Sequence, residues 1–208
     1  MNFSYQHFYQ PGADSVAPPL LLLHGTGGNE RDLLPLARAL SPGSAVLSPL
    51  GQVSEGGARR FFARLAEGVF DPAEVAARTH ALADFIIAAT AHYRIDAGRL
   101  LAVGFSNGAN IAATLLQLRP ASLAGGILLR PMVVLDQPAP SRSLTGKRVL
   151  LLNGDADPIV PRDHPARLAA LLQAGGATVE MQSNRGGHGL AQPDIDGARG
   201  WLGSAEDS

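Results

Sequence analysis

A serine between two glycines, Gly104-Phe105-Ser106-Asn107-Gly108, a loop with two aspartates, Gly154-Asp155-Ala156-Asp157-Pro158, and a late loop, Gly186-Gly187-His188-Gly189, hold the residue types of nucleophilic catalysis. A serine hydroxyl is a poor nucleophile at neutral pH. A histidine must take its proton, and a carboxylate must hold that histidine in one tautomer and stabilise its cation. Backbone N–H groups must then meet the oxyanion as it forms. A fourth cluster, His24-Gly25-Thr26-Gly27-Gly28-Asn29, adds a glycine-rich turn.

The glycines around Ser106 have a steric reason. A sharp turn from strand to helix brings backbone segments so close that side chains at 104 and 108 would collide, and it holds the turning residue in a strained conformation. The same turn aims the Asn107 N–H and the start of a helix at the place where negative charge develops. Taken alone, G-x-S-x-G is a weak signal, and a serine at such a junction also serves as a helix N-cap. Its context carries the weight: the apolar run Leu100–Phe105 precedes it, a helix-forming segment follows it, and Ser, Asp and His come in the chain order that this kind of turn demands.

His188 is the candidate base because it alone lies late in a glycine-rich loop after the last strand. His7 precedes the core, His80 and His92 lie on or at the end of a long helix, and His164 begins a helix, so these read as packing or surface residues. His24 ends a strand and reads as a structural residue bonded to backbone. For the acid, Asp155 and Asp157 compete within one loop; Asp157 is favoured, with Asp155 readable as a turn-former.

The elements that must position these groups follow from hydrophobic patterning. Strands are expected at Pro18–Leu23, Ala45–Leu47, Leu100–Phe105, Gly126–Leu129, Arg148–Asn153 and Thr178–Gln182. Helices are expected at Asp32–Leu40, Pro72–Tyr93, Gly108–Leu118, His164–Gln173 and Ile195–Trp201, the second opened by an Asp71-Pro72 start. Continuous apolar strands alternating with helices imply an α/β fold with a mostly parallel central sheet covered on both faces, and ligands collect at the carboxyl ends of such strands. All four polar clusters fall there. The stretch from Gly51 to Gly68 reads as a surface loop or partial lid, and residues 1–208 read as a single domain.

Composition narrows the chemistry. The chain is 46% apolar and 17% charged with a net charge of −1, so no block of like charge points to a nucleic-acid or anionic-membrane partner. It has no cysteine, which excludes disulfides and a thiol nucleophile. No apolar run approaches a membrane span and the N-terminus lacks a signal-peptide pattern, so a cytoplasmic enzyme is expected.

Taken together, the segments "LLLHGTGGNERDLLPLA", "RRFFARLAEGVF", "GFSNGAN", "LLRPM", "NGDADPIVP" and "GGHGL" resemble the serine α/β-hydrolases of the phospholipase/carboxylesterase family. Within that family they look most like the small bacterial carboxylesterases associated with hydroquinone resistance. The resemblance runs from Leu20 to Leu190. It implies an α/β-hydrolase fold without a large cap domain, Ser106 as nucleophile, Asp157 as acid, His188 as base, and an oxyanion hole built from the N–H groups of Thr26 and Asn107. It also implies a small-molecule ester substrate, no metal or organic cofactor, and a homodimer. Asn107 stands where the acyl-protein thioesterase branch usually has glutamine, and Arg130-Pro131-Met132 replaces that branch's small polar loop. Both departures argue against a lipidated-protein substrate. Thioester hydrolysis or acyl transfer on the same scaffold is the alternative activity, and a catalytically silent binding module is a further one.

Two arginines are candidates for substrate binding. Arg130 directly follows a strand, from which a guanidinium would reach a carboxylate at the site rim, and it reads equally as a solvated loop arginine. Arg60, with Arg59, Phe61 and Phe62, reads either as part of an acyl pocket or as a helix start with one buried face. Only some seventeen proline-rich residues separate Leu129 from Lys147, which favours an open site and small or soluble esters.

Overall fold

The computed structural model describes residues 3–204. Its centre is strand β2 (Leu20–Leu23), four leucines with no exposed surface. A strand apolar on both faces is stable only with cover on both faces, each fully buried leucine contributing about 1.5–3 kcal/mol. Beside it run β3 (Val46–Pro49) on one side, and β6 (Leu101–Phe105), β7 (Gly125–Leu129), β8 (Arg148–Gly154) and β9 (Thr178–Asn184) on the other, all parallel. Strand β1 (His7–Gln10) closes the β3 edge antiparallel, giving the order β1-β3-β2-β6-β7-β8-β9.

Alternate residues of each strand feed opposite cores. Leu20, Leu22, Val103, Ile127, Leu150 and Leu152 pack against α1 (Leu34–Leu40) and α5 (Gln192–Gly203). Leu21, Leu23, Ala102, Leu128 and Leu151 pack against α2 (Pro72–Tyr93), α3 (Asn107–Leu118) and α4 (His164–Ala174). In α2 the Asp71 carboxylate accepts the Ala73 N–H at 2.9 Å, the cap expected from its sequence, and Arg94 ends the helix at φ 57°. Helix α3 is buried on nearly every side, which its alanine-rich, largely uncharged sequence permits. Buried Thr79 and Thr114 join α2 to α3 through their hydroxyls at 2.7 Å.

Every expected strand and helix is present, with ends shifted by up to three residues. Three strands, in two places, were not legible. Strand β1 is short, polar and half-buried, and it is held by pairing to β3 and by Tyr9 stacking on Tyr93 at 3.9 Å. The second is a hairpin, β4 (Val53–Glu55) and β5 (Ala58–Arg60), in the stretch expected to be a loop or partial lid. Its turn residues, Gly56 and Gly57, both have positive φ (57° and 88°), as a tight two-residue hairpin requires. The Gly56-Gly57 pair was the available signal. Arg60 therefore sits on a strand and not at a helix start. Residues 130–147 form no regular element and send Met132, Val133, Leu135, Ala139 and Leu144 into the interior, so among the described residues no large cap covers the carboxyl ends of the strands.

Candidate active site

At the end of β6 the chain turns into α3 with Ser106 at φ 52°, ψ −115°, a conformation that non-glycine residues rarely adopt. The turn is pinned by Ser106 N–H donating to Leu129 O at 2.8 Å and Asn110 N–H donating to Ser106 O at 2.9 Å. A Cβ on Gly104 would lie 2.6 Å from the Gly108 carbonyl oxygen, and one on Gly108 would overlap the Leu23 carbonyl. Both glycines are thus clearance for three backbones meeting at one point. As the N-cap residue of α3, Ser106 makes no side-chain capping bond, so its hydroxyl is left for other work.

That hydroxyl is 2.9 Å from His188 Nε2, and His188 Nδ1 is 2.8 Å from Asp157 Oδ2. With Nδ1–H donating to the carboxylate, Nε2 is the acceptor for the serine proton. Asp157 Oδ1 is occupied by the Ile159 N–H at 2.8 Å and the Val160 N–H at 3.2 Å, so Oδ2 is the oxygen left for histidine. The Asp157 side chain is 2% exposed and that of His188 20%. Burial pushes the Asp157 carboxyl upward, but the bonds from Ile159, His188 and Val160 outweigh it, and the net displacement is below the usual carboxylate value. Asp155 is exposed, uses its N–H on Asn184 O at 2.8 Å, and has no side-chain bond to His188.

The direction of the Asp157 displacement gives a pH prediction. A carboxyl whose folded pKa is depressed adds stability above its unfolded value, near 3.9, and loses it as pH falls through the lower folded value. Asp157→Asn is therefore expected to lower stability by a constant amount above about pH 5, with the gap to the parent closing below about pH 4. At neutral pH the same variant is expected to lose about 10⁴-fold in kcat, because an amide no longer fixes the Nδ1–H tautomer. Thermal denaturation across pH and ester kinetics measure the two effects.

Three of the other histidines are engaged elsewhere. His24 is 1% exposed, its Nδ1–H donating to Gly25 O at 2.7 Å and its Nε2 accepting the Gly51 N–H at 2.9 Å. Burial lowers its pKa and favours the neutral form that both bonds need. Its structural reading holds. His7 binds the Tyr93 hydroxyl at 2.8 Å, and His164 Nδ1 accepts the Val133 N–H at 3.1 Å.

Around Ser106 lies a cleft of about 300 Å³. Thr26, Asn107 and His188 border it, with Phe70, Met132 and Ile159 as its apolar wall and Arg60, Arg64 and Glu67 as its charged one. Asn107 is the first residue of α3, so its N–H has no intrahelical acceptor. A second cavity of about 380 Å³ lies behind Asp157, between Arg162, Met181 and Ser183. It is the larger of the two, yet neither Ser106 nor His188 reaches it.

Arg130 does not stand at the site rim. It is 1% exposed, and all five of its N–H groups are used within the protein. Two go to Asp194 (Nη1 to Oδ1 at 2.8 Å, Nη2 to Oδ2 at 2.7 Å) and one each to the carbonyls of Gly187 (2.9 Å), Leu152 (3.2 Å) and Gly189 (3.2 Å). Left-handed backbone at Arg130 (φ 57°) turns the side chain beneath the sheet's end, where it grips the carbonyls on either side of His188. No donor is left for a substrate carboxylate, which corrects the expected role. Asp194, fully buried, also accepts the Asn184 amide at 2.7 Å and the Ala191 N–H at 2.8 Å. Sequence reasoning missed Asp194 and Asn184: an acidic residue in the first turn of a helix explains itself locally, and nothing local ties it to an arginine 64 positions earlier. Arg60 does border the cleft, but its Nε donates to Phe62 O at 3.1 Å and its Nη1 to Thr26 Oγ1 at 2.7 Å.

A serine on a strained strand-to-helix turn, hydrogen-bonded to a histidine that is itself bonded to an aspartate, is the arrangement of the α/β-hydrolases. A sequence model of the phospholipase/carboxylesterase family matches residues 66–199, which include all three of these side chains. The chain belongs to the phospholipase/carboxylesterase family. It is 42% identical over 197 residues to MhqD of Bacillus subtilis (strain 168), a protein named as a hydrolase, with 94% of this chain and 96% of that one aligned. The crystal structure of the Bacillus cereus carboxylesterase superposes with a TM-score of 0.93 at 41% identity, covering 97% of this chain and 95% of that one. A carboxylesterase from Mesorhizobium loti gives 0.85 at 33% identity, covering 92% and 90%. The protein is thus a hydrolase of the carboxylesterase type on an α/β-hydrolase fold, and no helix among the described residues is long and apolar enough to cross a membrane.

Proposed function

We propose that this phospholipase/carboxylesterase family member is a serine esterase that cleaves carboxylic esters of small or soluble molecules through an acyl-enzyme intermediate. The observation that carries the reading is the unbroken chain Asp157 Oδ2, His188 Nδ1, His188 Nε2, Ser106 Oγ, with spacings of 2.8 and 2.9 Å across its two hydrogen bonds. His188 Nε2 takes the Ser106 proton as Oγ attacks the ester carbonyl carbon. The carbonyl oxygen becomes an oxyanion, met by the N–H groups of Thr26 and Asn107. As the intermediate collapses, the ester C–O bond breaks and His188 gives its proton to the leaving alkoxide, so an alcohol departs and the acyl group stays on Ser106. A water molecule, deprotonated by His188, then attacks the acyl carbon; collapse returns the proton to Ser106 Oγ and frees the carboxylic acid. Asp157 stays ionised throughout and stabilises the imidazolium in both halves.

The uncapped cleft of about 300 Å³, with one short apolar wall, supports small substrates over long acyl chains. The test is mass spectrometry after treatment with a fluorophosphonate, together with rates on short- and long-chain p-nitrophenyl esters. Stoichiometric modification of Ser106, absent in Ser106→Ala, and kcat/KM falling with chain length are expected. Unmodified Ser106 overturns the mechanism, and a strong preference for long chains overturns the substrate class.

A further inference from the structure

The hairpin β4–β5 and the residue after it touch both proposed oxyanion donors and the neighbour of one, through the consecutive residues Arg59, Arg60 and Phe61. The Arg59 carbonyl accepts the Gly27 N–H at 2.9 Å, the Arg60 Nη1 donates to Thr26 Oγ1 at 2.7 Å, and the Phe61 N–H donates to Asn107 Oδ1 at 2.7 Å. At the hairpin's foot, Gly51 N–H donates to His24 Nε2, which fixes the residue where the Thr26 loop begins.

We propose that the stretch Arg59–Phe61 braces the oxyanion hole and that Arg60 is a positioning residue for it, acting through the Thr26 hydroxyl. The inference rests on the reading of Thr26 and Asn107 as oxyanion donors. Thr26 is exposed and stands in a turn with glycines on both sides, including Gly27 at φ 80°, closed by one bond of its own, Gly28 N–H to Gly25 O at 3.1 Å, so its rigidity depends largely on ties from outside. An oxyanion donor works by being in place before charge develops, and a donor that must reorient in the transition state loses much of its effect. Outside ties must therefore hold Thr26, and two are present: the Gly27–Arg59 backbone bond and the Thr26–Arg60 side-chain bond.

Arg60 is built for that task. It is 4% exposed, its Nε donates to Phe62 O at 3.1 Å and lies 3.2 Å from Glu55 Oε2, and its planar fork then delivers Nη1 to Thr26. A lysine, with a single nitrogen, cannot span Phe62 O and Thr26 Oγ1 together. The Glu55 carboxylate beside the guanidinium offsets its charge, so the contribution is geometric and not a bare cation in the cleft. Geometry of this kind appears in kcat and leaves KM nearly unchanged, because the oxyanion exists only in the transition state.

The test is steady-state kinetics on a short p-nitrophenyl ester for Arg60→Met, Arg60→Lys, Thr26→Val, Thr26→Ser and Arg60→Met/Thr26→Val. Arg60→Met, Arg60→Lys and Thr26→Val are each expected to lower kcat by about tenfold to a hundredfold, less than the loss of a donor itself. KM is expected to stay within about threefold, Thr26→Ser, which keeps the hydroxyl, to lose less kcat than Thr26→Val, and the double variant to lose no more than its worse single. Losses carried by KM, losses that multiply in the double variant, or full activity in Arg60→Lys would each overturn the proposal. Thr26→Val alters an exposed turn and carries the test by itself if Arg60→Met does not fold. If a fluorophosphonate fails to modify Ser106 in the parent, the functional reading fails; if Ser106 is modified and Arg60→Met keeps its kcat, only the brace fails.

Discussion

Replacing Ser106 by alanine is expected to lower kcat on a short ester by about 10⁵- to 10⁶-fold, replacing His188 by alanine to cost a similar amount, and replacing both to cost no more than either. The reason lies in the bond between them. In the proposed mechanism Ser106 Oγ becomes nucleophilic only as His188 Nε2, 2.9 Å away, takes its proton, so each residue without the other would contribute almost nothing. Residual rate above that in water then comes from the cleft and its N–H donors alone. Steady-state rates of the three variants on highly purified protein check this. Multiplying losses in the double variant would mean that the two side chains act in separate steps, and the mechanism proposed for the chain would fall. Stability should barely change in Ser106→Ala, since Ser106 caps no helix N–H.

Arg130→Met is expected to have the largest effect on stability, about 3–5 kcal/mol, because it strands the carboxylate of Asp194 in a dry interior. At roughly 2–4 °C per kcal/mol for a chain of this size, the melting temperature should fall by about 6–20 °C. The side chains of Arg130 and Asp194 have no exposed surface, so neither water nor salt can substitute for the lost partner. A compensating variant separates the ion pair from packing: Arg130→Met/Asp194→Asn removes both charges while keeping an acceptor for the Asn184 amide and the Ala191 N–H, and should recover part of the loss. Activity should fall further than stability alone dictates. The guanidinium also grips the Gly187 and Gly189 carbonyls, and without it the loop that carries His188 keeps its local Asn184–Gly186 bond but loses its clamp from below. Differential scanning calorimetry and kcat measured well below the melting point check both halves. A melting temperature within two degrees of the parent would show that the pair is not the strut described.

The two sets of variants probe different depths of one design. Ser106, His188 and Asp157 come from loops after β6, β9 and β8, each at the carboxyl end of a parallel strand. Beneath them, Arg130 at the end of β7 bonds to the loop after β9, to β8 and to α5. The sheet thus sets the spacing of the proposed triad twice, once through its three side chains and once through the arginine that holds their support.

Much of this was legible in the amino-acid sequence, for local reasons. A run such as Leu20–Leu23 has only one stable environment, a strand covered on both faces, and Gly104 and Gly108 around Ser106 have a purpose only where backbones nearly touch. Alternation of such runs with helices implies the parallel sheet, and the sheet implies that polar clusters after strands meet at one end. Ser106, Asp157 and His188 were expected to meet on that ground, and their side chains do lie within hydrogen-bonding distance; the family resemblance added Thr26. Only the tertiary structure decided what the two arginines do. A guanidinium has a long stem and five donors, and its role depends on which acceptors arrive from distant segments: for Arg130 an aspartate in α5, for Arg60 a threonine in the loop after β2. Charge and position in sequence are the same for a rim residue and a buried strut, and burial with its partners is a property of the folded chain alone.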